Sequence, residues 1–514
     1  MYPGIHAATA PEQPAIVFAP TGEMVTYREL EDRSNRLAQQ WYALGLRPGD
    51  HVAILAENHP RYPEVYWAAV RSGLYITAVN WHLTAEEAAY IVTDSAASLL
   101  VTTHGLAELA TSVVDELAES PHLFMMDGVV EGFASYEESM AQFDAVPLAK
   151  QPRGDMMLYS SGTTGRPKGI RRPLTGITID DPRGMNVGYF AKSLLGMSEE
   201  SRYLVPAPMY HSAALQWAAG AQALGATVVL MERFDAREFL AAIEKYSITH
   251  TQVVPTMMVR LLKLPDTERT SYDVSTLQDF LHSAAPCPPA VKRATIDWLG
   301  PIVSELYSGT EGMGMTFLTA TEWLEHPGSV GRAVLGTPVV CDDEGRPVPA
   351  GQIGTVYFER DSAPFEYHND ADKTEDSRHP DNPRLSTVGD VGYVDADGYL
   401  YLTDRKSFMI ISGGVNIYPA EIESCLSAHP QVTDVAVFGL PDPEMGEYVH
   451  AVVELDPGVT ADEATADILR AHVREHLARY KVPRTFEFCD SLPRLATGKV
   501  KKHDLRDAAL RALT

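Results

Sequence analysis

A segment rich in glycine and hydroxyl side chains, residues 158–169, has the residue types that bind polyphosphate. It reads Leu-Tyr-Ser-Ser-Gly-Thr-Thr-Gly-Arg-Pro-Lys-Gly. Glycine allows backbone amides to converge on phosphate oxygens, and a lysine can neutralise their charge. The spacing differs from that of a Walker A loop, and a polar turn between two strands is the alternative. The candidate phosphate contacts are Ser160, Ser161, Gly162, Thr163, Thr164, Gly165 and Lys168.

A second glycine-rich loop, residues 307–312, follows a sequence typical of a strand at 301–306. Loops at the carboxyl ends of strands are where open α/β sheets bind ligands. Tyr307 offers a flat face to a purine, Thr310 can contact an α-phosphate, and Glu311 can hold Mg²⁺ through a hard carboxylate oxygen. A glycine turn with a solvated glutamate is the alternative. The nucleotide contacts expected here are Tyr307, Ser308, Gly309 and Thr310.

Two further segments have the residue types that hold a nucleoside. Small side chains over residues 283–286 would allow the backbone to approach a ring closely. Asp390, in the sequence Gly-Asp-Val-Gly, can accept hydrogen bonds from both ribose hydroxyls through its two oxygens. A surface turn is the alternative for Asp390. The candidate contacts with such a ring are Ser283, Ala284, Ala285 and Pro286.

These segments, taken in order with two more at 409–423 and 493–502, resemble the adenylate-forming superfamily. That superfamily comprises acyl-CoA synthetases, luciferases and nonribosomal-peptide adenylation domains. The resemblance extends from the phosphate loop to a C-terminal Pro-x-x-x-x-Gly-Lys motif, so it covers essentially the whole chain. Ser283 and Ser308 each replace a glycine that is usual in the family, and Val388 is an inserted residue.

The resemblance implies roles that residue types alone do not assign. Residues 283–286 would lie along the adenine. Lys499 would polarise the carboxylate and the α-phosphate during adenylation, a reaction that depends largely on positioning and charge neutralisation. Arg405 would supply a second ribose contact, and Asp404 would lie at an interdomain hinge. Thr164 and Glu311 are the metal-binding candidates. The residues expected beside the narrow pantetheine arm of coenzyme A are Ser412, Gly413 and Gly414, which are also compatible with a hairpin turn.

The segment 206–213, Pro-Ala-Pro-Met-Tyr-His-Ser-Ala, resembles the part of acyl- and aryl-CoA synthetases where a histidine borders the acyl pocket. We expect His211 to be the residue at the gate of that pocket. Small side chains after it would leave space for a bulky acyl group. A histidine and a tryptophan packed in a core are the alternative. The acyl-pocket candidates are Tyr210, His211, Ser212, Ala213, Ala214 and Trp217.

The resemblance implies an ATP-dependent carboxylic acid–CoA ligase that uses Mg²⁺. The carboxylate would attack ATP to give acyl-AMP and pyrophosphate, and coenzyme A would then displace AMP. The expected substrate is a hydrophobic acid: a fatty acid, a cinnamate-type aromatic acid or a sterol side chain. A non-catalytic nucleotide-binding homologue and an adenylate-forming enzyme with another acceptor are the alternatives. A peptide-synthetase adenylation domain is disfavoured, because it would need an aspartate for the substrate amine and a carrier domain after the lysine motif.

The composition is that of an acidic globular protein. The 514 residues include 42 Lys and Arg against 69 Asp and Glu, a net charge of −27, which argues against nucleic-acid or anionic-membrane binding as the main task. The four cysteines are far apart and show no Cys-x2-Cys or Cys/His spacing, so neither a disulfide framework nor a structural zinc is expected. The first residues show neither the basic region nor the apolar region of a signal peptide, and no run of about 18 apolar residues occurs. We expect a cytoplasmic protein. The sequence leaves open whether it forms a homodimer.

Alternating helix and strand patterns predict an α/β fold. We expect a large N-terminal domain over residues 1–403, with helix-covered and mostly parallel sheets and a small β-subdomain at about 330–403. A hinge at 404–406 would lead to a small mobile α+β domain at 407–514. Within the β-subdomain, 331–340 and 351–358 are predicted as short strands. The polar stretch 361–383 is predicted as an exposed loop.

Overall fold

Buried strands rich in branched residues build the centre of the fold. A computed structural model of the chain describes residues 2–160, 167–181, 184, 187–405, 408–412, 415–443, 445–494 and 500–513, with the backbone alone at residues 160, 404, 405 and 416. The strands His51–Leu55 and Tyr75–Val79 are buried at every position. Burial on both faces is typical of parallel strands covered by helices.

The strands of the described residues are β1 (Pro14–Phe18), β2 (Glu23–Thr26), β3 (His51–Leu55), β4 (Tyr75–Val79), β5 (Ala97–Thr103), β6 (His122–Met126), β7 (Ala134–Ser135), β8 (Asp155–Ser160), β9 (Lys168–Arg171), β10 (Arg202–Val205), β11 (Thr227–Leu230), β12 (His250–Val253), β13 (Asp279–Ser283), β14 (Val303–Ser308), β15 (Met315–Thr319), β16 (Ser329–Leu335), β17 (Thr337–Cys341), β18 (Gly354–Glu359), β19 (Glu366–Tyr367), β20 (Arg378–His379), β21 (Asn382–Ser386), β22 (Asp390–Val394), β23 (Leu400–Arg405), β24 (Ile410–Ser412), β25 (Val415–Ile417), β26 (Val432–Asp442), β27 (Gly446–Leu455) and β28 (Thr485–Cys489).

The α-helices of the described residues are α1 (Gly4–Thr9), α2 (Tyr27–Ala43), α3 (Tyr62–Arg71), α4 (Ala85–Asp94), α5 (Ala107–Asp115), α6 (Tyr136–Ala141), α7 (Val187–Leu195), α8 (Ser212–Ala223), α9 (Ala236–Tyr246), α10 (Pro255–Leu262), α11 (Asp266–Arg269), α12 (Pro289–Leu299), α13 (Ala320–Glu325), α14 (Ala371–Asp376), α15 (Pro419–Ser427), α16 (Glu463–His476) and α17 (Lys502–Ala512). Short 3₁₀ turns lie at His104–Leu106 and Arg479–Lys481.

Two large sheets carry the part of the chain before residue 406. The first has the order β2-β1-β11-β10-β12-β13-β14-β15-β16-β23-β22-β18-β21-β20, with β17 paired to β18. Its segment from β1 to β14 is parallel, and its continuation from β14 onward is antiparallel. The second sheet has the order β19-β9-β8-β4-β3-β5-β6-β7. The predicted α/β architecture of helix-covered, mostly parallel sheets is therefore confirmed.

Local sequence signals set the helix boundaries. In α2 and α4, Thr26 and Thr84 form capping boxes with the glutamates Glu29 and Glu87. Each box satisfies backbone N–H groups that have no partner within the helix. The helix α9 ends at Ser247, which adopts the left-handed conformation with φ of 51°. These caps fix where each helix begins or ends relative to the strand beside it.

The C-terminal part has a core of its own. Strands β24 to β28 form a separate five-stranded sheet. Buried residues of α15, α16 and this sheet, among them Ile422, Val437 and Leu469, form one apolar cluster. The helix α16 ends at His476, because Leu477 is extended. The basic tail after residue 500 forms α17.

Two predictions for the β-rich region were wrong. The stretch 331–340 is not one strand, because Gly336, with φ of +73°, separates β16 from β17. The stretch 361–383 is not an exposed loop: it contains β19, α14 and β20, and it buries Phe365 and Tyr367. Two aromatic residues spaced by two are a strand signal that the surrounding charges conceal.

No helix among the described residues is both long enough and apolar enough to cross a membrane.

A buried ion pair lies between β14 and α12, behind the loop at 307–312. The Lys292 ammonium donates to a carboxylate oxygen of Glu305 at 2.5 Å, and both side chains are less than a tenth exposed. Burial raises the pKa of Glu305, and the lysine opposes that rise. The pair compensates two charges that would each be costly in this core.

We predict that Lys292→Met destabilises the protein by about 3–5 kcal/mol, because Glu305 is then buried without its cation. The double variant Lys292→Met/Glu305→Gln should recover most of this loss. Chemical denaturation of the ligand-free protein measures both effects. A single variant as stable as the parent would contradict the structural role of the pair.

Candidate active site

Sixteen of the predicted site residues line one cleft. The cleft has a volume of about 2520 Å³ and is bordered by both large sheets and by the C-terminal part. A single small-molecule pocket has about 300–1,000 Å³, so this cleft has room for more than one ligand. The predicted residues that line it are Tyr210, His211, Ser212, Ala213, Ala214, Trp217, Ser283, Ala284, Ala285, Pro286, Tyr307, Ser308, Gly309, Thr310, Glu311 and Asp390.

The adenine and ribose candidates contact each other directly. The Tyr307 hydroxyl at the end of β14 donates to Oδ2 of Asp390 on β22 at 2.5 Å. Asp390 is 5% exposed, and its backbone pairs with that of Arg405 on β23. A carboxylate accepts several hydrogen bonds, so the contact with Tyr307 leaves Asp390 capable of accepting from a ribose. The structure therefore brings Tyr307 and Asp390 to one wall of the cleft, with the backbone of Arg405 paired to that of Asp390.

Two arginines that the sequence did not single out hold the turn at 310–312. Arg172 donates to the Thr310 carbonyl at 2.9 Å, and Arg360 donates to the Gly312 carbonyl at 3.0 Å. Gly312 has φ of +64°, a conformation in which glycine avoids the steric cost of a Cβ. Burial and the neighbouring Arg172 lower the pKa of Arg360. Two guanidinium groups thus lie against the turn that carries Glu311.

Glu311 is held in place by the segment that was predicted as an exposed loop. The Tyr367 hydroxyl on β19 donates to Oε1 of Glu311 at 3.0 Å. Tyr367 reaches this position because β19 pairs antiparallel with β9, with Tyr367 opposite Ile170. A carboxylate has a second oxygen for a hard cation, so an oriented Glu311 fits the donor chemistry of Mg²⁺.

Lys168, predicted to neutralise phosphate, forms an ion pair with Asp370 at the N-cap of α14. The hydrogen bond from Lys168 lowers the pKa of the Asp370 carboxyl. Next to this pair, the His368 amide donates to the Gly169 carbonyl at 2.7 Å. The lysine therefore also fastens the 366–376 segment to the strand that follows the phosphate loop, a contact that the sequence did not predict.

The segment predicted to lie along adenine contains a strained position. Ser283 ends β13 in extended conformation and accepts a hydrogen bond from Gln252 at 3.1 Å. Ala284 follows with φ of +72°, in the left-handed region that disfavours side chains. The replacement of the usual glycine by Ser283 is thus accommodated by the strand, and the strain lies one residue later. Strain of this kind is frequent at ligand-binding sites.

The acyl-pocket candidates lie around the N-terminus of α8. His211 is the N-cap residue of α8, and its ring lies 4.3 Å from that of Tyr210, centroid to centroid. Burial raises the pKa of Tyr210, so its phenol is neutral. Ala214 and Trp217 belong to the large apolar core and also line the cleft. The lining residues that the sequence did not identify include Phe190, Gly220, Gln252 and Leu306.

Several predicted residues fall outside what the structure describes. Ser412 ends β24 and lies opposite Val415 on β25, so the two strands form the predicted hairpin. Asp404 and Arg405 lie in β23, with their backbones alone described. The backbone of Ser160 ends β8. The predicted residues outside the described ranges are Ser161, Gly162, Thr163, Thr164, Gly165, Gly413, Gly414 and Lys499.

Comparison with known proteins identifies the family. The profile "AMP-binding enzyme" matches residues 5–364, and the profile "AMP-binding enzyme C-terminal domain" matches residues 421–499. A fatty acid–[acyl-carrier-protein] ligase of Streptomyces coeruleorubidus is 33% identical over 98% of this chain and 94% of its own length. A feruloyl-CoA synthase of an Amycolatopsis species is 35% identical, with 94% of each chain covered.

Solved structures show the same fold. An anthranilate CoA ligase in complex with anthranoyl-AMP is similar to this chain with a TM-score of 0.86 and 26% identity, over 99% of this chain and 97% of that one. The two family profiles together span most of the sequence, and they match the two parts that carry the cleft. The chain therefore belongs to the AMP-binding enzyme family, in its acyl-CoA synthetase branch.

Proposed function

We propose that this protein is an ATP-dependent carboxylic acid–CoA ligase whose substrate is a hydrophobic fatty acid or an aromatic, cinnamate-type acid. The observation that carries the proposal is the placement of two kinds of surface in one cleft. One wall has the Tyr307–Asp390 pair and the turn with Glu311. Another wall is the small and apolar N-terminal part of α8. A cleft that joins these two walls can hold a nucleotide beside an acyl chain.

In the first half-reaction, a carboxylate oxygen attacks the α-phosphorus of ATP. The bond from that phosphorus to the bridging oxygen breaks, which gives acyl-AMP and pyrophosphate. Tyr307 and Asp390 would hold the nucleoside, and the phosphate loop with Arg172 and Arg360 would offset the charge of the phosphates. Mg²⁺ would be held by Glu311 and Thr164 and would supply further charge neutralisation. Lys499 would bring a cation between the two reacting anions, the kind of electrostatic stabilisation that lowers such barriers most.

In the second half-reaction, the thiolate of coenzyme A attacks the acyl carbonyl and AMP leaves with the former carboxylate oxygen. We infer that residues 1–403 form the adenylation domain and that 407–514 form a mobile domain, with the hinge at 404–406. Between the two half-reactions, the mobile domain would rotate about the hinge. The Ser412–Gly414 segment would then take the place of Lys499 at the cleft. Small residues there would allow a pantetheine arm to pass.

The acyl group is inferred from the lining of the pocket. Ala213 and Ala214 are small, and Phe190, Trp217 and Leu306 provide apolar surface. Apolar surface of this kind favours a hydrophobic tail at about 25 cal/mol per Å² removed from water. A feruloyl-CoA synthase among the relatives is consistent with an aromatic acid, and a fatty acid ligase is consistent with an alkyl chain.

A carrier-protein thiol is the second candidate acceptor. The relative from Streptomyces coeruleorubidus is named as a ligase to acyl-carrier-protein. Both acceptors present the same phosphopantetheine thiol, so the first half-reaction would not change. The two acceptors can be compared by supplying enzyme-bound acyl-AMP with either one.

The proposal is tested by pyrophosphate release over a panel of acids, with ATP and with or without coenzyme A. We expect release with hydrophobic acids and an acyl-CoA product only when coenzyme A is present. Nucleotide binding without pyrophosphate release for any acid would indicate a non-catalytic homologue and would overturn the proposal.

We predict a graded loss of activity at the metal candidate. Glu311→Gln keeps the shape of the side chain but removes the charge, so adenylation should fall by orders of magnitude at low Mg²⁺. Tyr367→Phe removes only the hydrogen bond that orients Glu311 and should reduce kcat/KM about 10-fold, since such a bond contributes about 1.5 kcal/mol. The control Tyr42→Phe changes an exposed tyrosine and should have no effect. Near-normal pyrophosphate release by Glu311→Gln would remove this residue from the site.

The acyl pocket is tested at Ala213, which is partly buried and lines the cleft. Ala213→Trp should abolish turnover of the bulkiest acid accepted and spare short acids, because overfilling a packed cavity is costly. Ala213→Ser retains the size and serves as the control. If the preference for chain length or ring size is the same in both variants, the pocket lies elsewhere.

Single substitutions should block one half-reaction and leave the other intact. Lys499→Ala should block acyl-AMP formation but still convert supplied acyl-AMP and coenzyme A to the thioester. Gly414→Leu should release pyrophosphate and accumulate acyl-AMP, because a side chain then fills the pantetheine path. Gly414→Ala is the matched control for size. Equal loss of both half-reactions in both folded variants would contradict the assignment of one face of the mobile domain to each step.

A further inference from the structure

A cluster of cysteine and histidine side chains lies in the C-terminal part, between α15 and α16. Cys425 on α15 and His472 and His476 on α16 each offer a ligand atom, and these atoms lie within 4.8 Å of one another. The ring of His429 lies 4.9 Å from that of His472, centroid to centroid. We propose that Cys425, His472 and His476 form a binding site for a thiophilic divalent transition metal such as Zn²⁺.

The spacing of these residues is that of a two-helix metal site. Cys425 and His429 are four residues apart, and so are His472 and His476. Residues four apart lie on one face of a helix, so His472 and His476 of α16 present their side chains in the same direction. His429 lies just beyond the end of α15, whose last residue is Ser427. The sequence pattern consists of the pair Cys425 and His429 and the pair His472 and His476, which are more than forty residues apart. Only the packing of α15 against α16 brings the two pairs together.

The packing of the helices is fixed independently of any metal. Leu426 next to Cys425 is fully buried, as are Leu469 and Val473 on the facing side of α16. These side chains share one apolar core, so the two helices have a fixed distance and orientation. The cysteine and the histidines lie at the edge of that core, where Cys425 and His472 are half-buried and His476 is exposed. An ion can therefore reach the site from solvent.

Backbone carbonyls orient the rings of the two histidines. His472 bonds through Nε2 to the Cys425 carbonyl at 3.1 Å, and His476 bonds through Nδ1 to the His472 carbonyl at 2.8 Å. A ring nitrogen next to a carbonyl must donate, which places the lone pair of the neutral ring on its other nitrogen. Metal-binding histidines are commonly oriented by such a bond to a backbone carbonyl.

The distances require only a small adjustment. Zinc bonds of about 2.0–2.3 Å in tetrahedral geometry place ligand atoms about 3.3–3.8 Å apart. Side chains at the edge of a core can close the present separation by rotation without moving the helices. Three protein ligands leave a fourth position for water or for His429. The thiol proton leaves when the metal binds, because the thiolate is the ligand.

Metal binding would cross-link the two helices of the C-terminal part. The adjacent residues Glu421, Ser424 and Ser427 of α15 line the large cleft. A metal at Cys425 would therefore stiffen one wall of the cleft without contacting it. Metal binding at this position is independent of the proposed reaction, because it changes only the occupancy of the metal site and the stability of the C-terminal part.

The test uses the full-length protein, loaded with Co²⁺ as a spectroscopic probe and then with Zn²⁺. We expect one ion per chain, a thiolate-to-cobalt charge-transfer band, displacement by Zn²⁺ and a higher melting temperature with metal. Cys425→Ser should abolish the band. His472→Gln and His476→Gln should each weaken binding by more than about 100-fold, because even an outer-shell change costs about 10- to 100-fold.

Matched control variants distinguish a specific metal site from nonspecific binding of metal ions to the protein surface. Cys489→Ser changes another half-buried cysteine of the C-terminal part, and His122→Gln changes an exposed histidine elsewhere. Both should bind as the parent does. His476 is exposed, so its variant tests the site with little risk to folding. Binding without the charge-transfer band, or equal affinity in the Cys425 and Cys489 variants, would overturn the proposal.

Discussion

The pairing of β19 with β9 is the interaction on which the nucleotide side of the cleft depends. It brings Asp370 to Lys168 on β9 and Tyr367 to the 307–312 turn. Tyr367 then orients Glu311, and Asp370 pairs with Lys168. The strand β19 is also the last strand of the second sheet. Without it, β9 would be the edge strand and would expose unpaired backbone groups. One short strand thus links the geometry of the site to the stability of the sheet.

The charge of the site differs from that of the whole protein. The chain has a net charge of −27, yet it must hold substrates with several negative charges. Arg172 and Arg360 lie at the 310–312 turn, and Lys168 lies beside the phosphate loop. At physiological ionic strength the field of a charge is screened within about 8 Å, so these nearby cations outweigh the distant acidic surface. The overall charge therefore carries little information about the ligand.

The sequence predicted those cleft-lining residues that lie together in short continuous motifs. The 307–312 loop, Asp390 and the α8 segment were found because neighbouring residues carry the chemistry, and the buried strands were found from their apolar runs. Residues that act through long-range contacts were missed. Tyr367 and Asp370 lie in a stretch whose charges resemble those of a loop, and Arg172 and Arg360 act on backbone carbonyls that no sequence pattern marks. Pairings between distant segments are what local patterns do not encode.

The central claim is that the carboxylate is activated by attack on the α-phosphorus. It is tested most directly by supplying an acid labelled with ¹⁸O in its carboxylate, together with ATP and coenzyme A, and measuring the products by mass spectrometry. The account predicts that AMP carries one ¹⁸O atom, because AMP leaves with the oxygen that made the attack, and that pyrophosphate is unlabelled. Label in inorganic phosphate with formation of ADP, or unlabelled AMP, would contradict it.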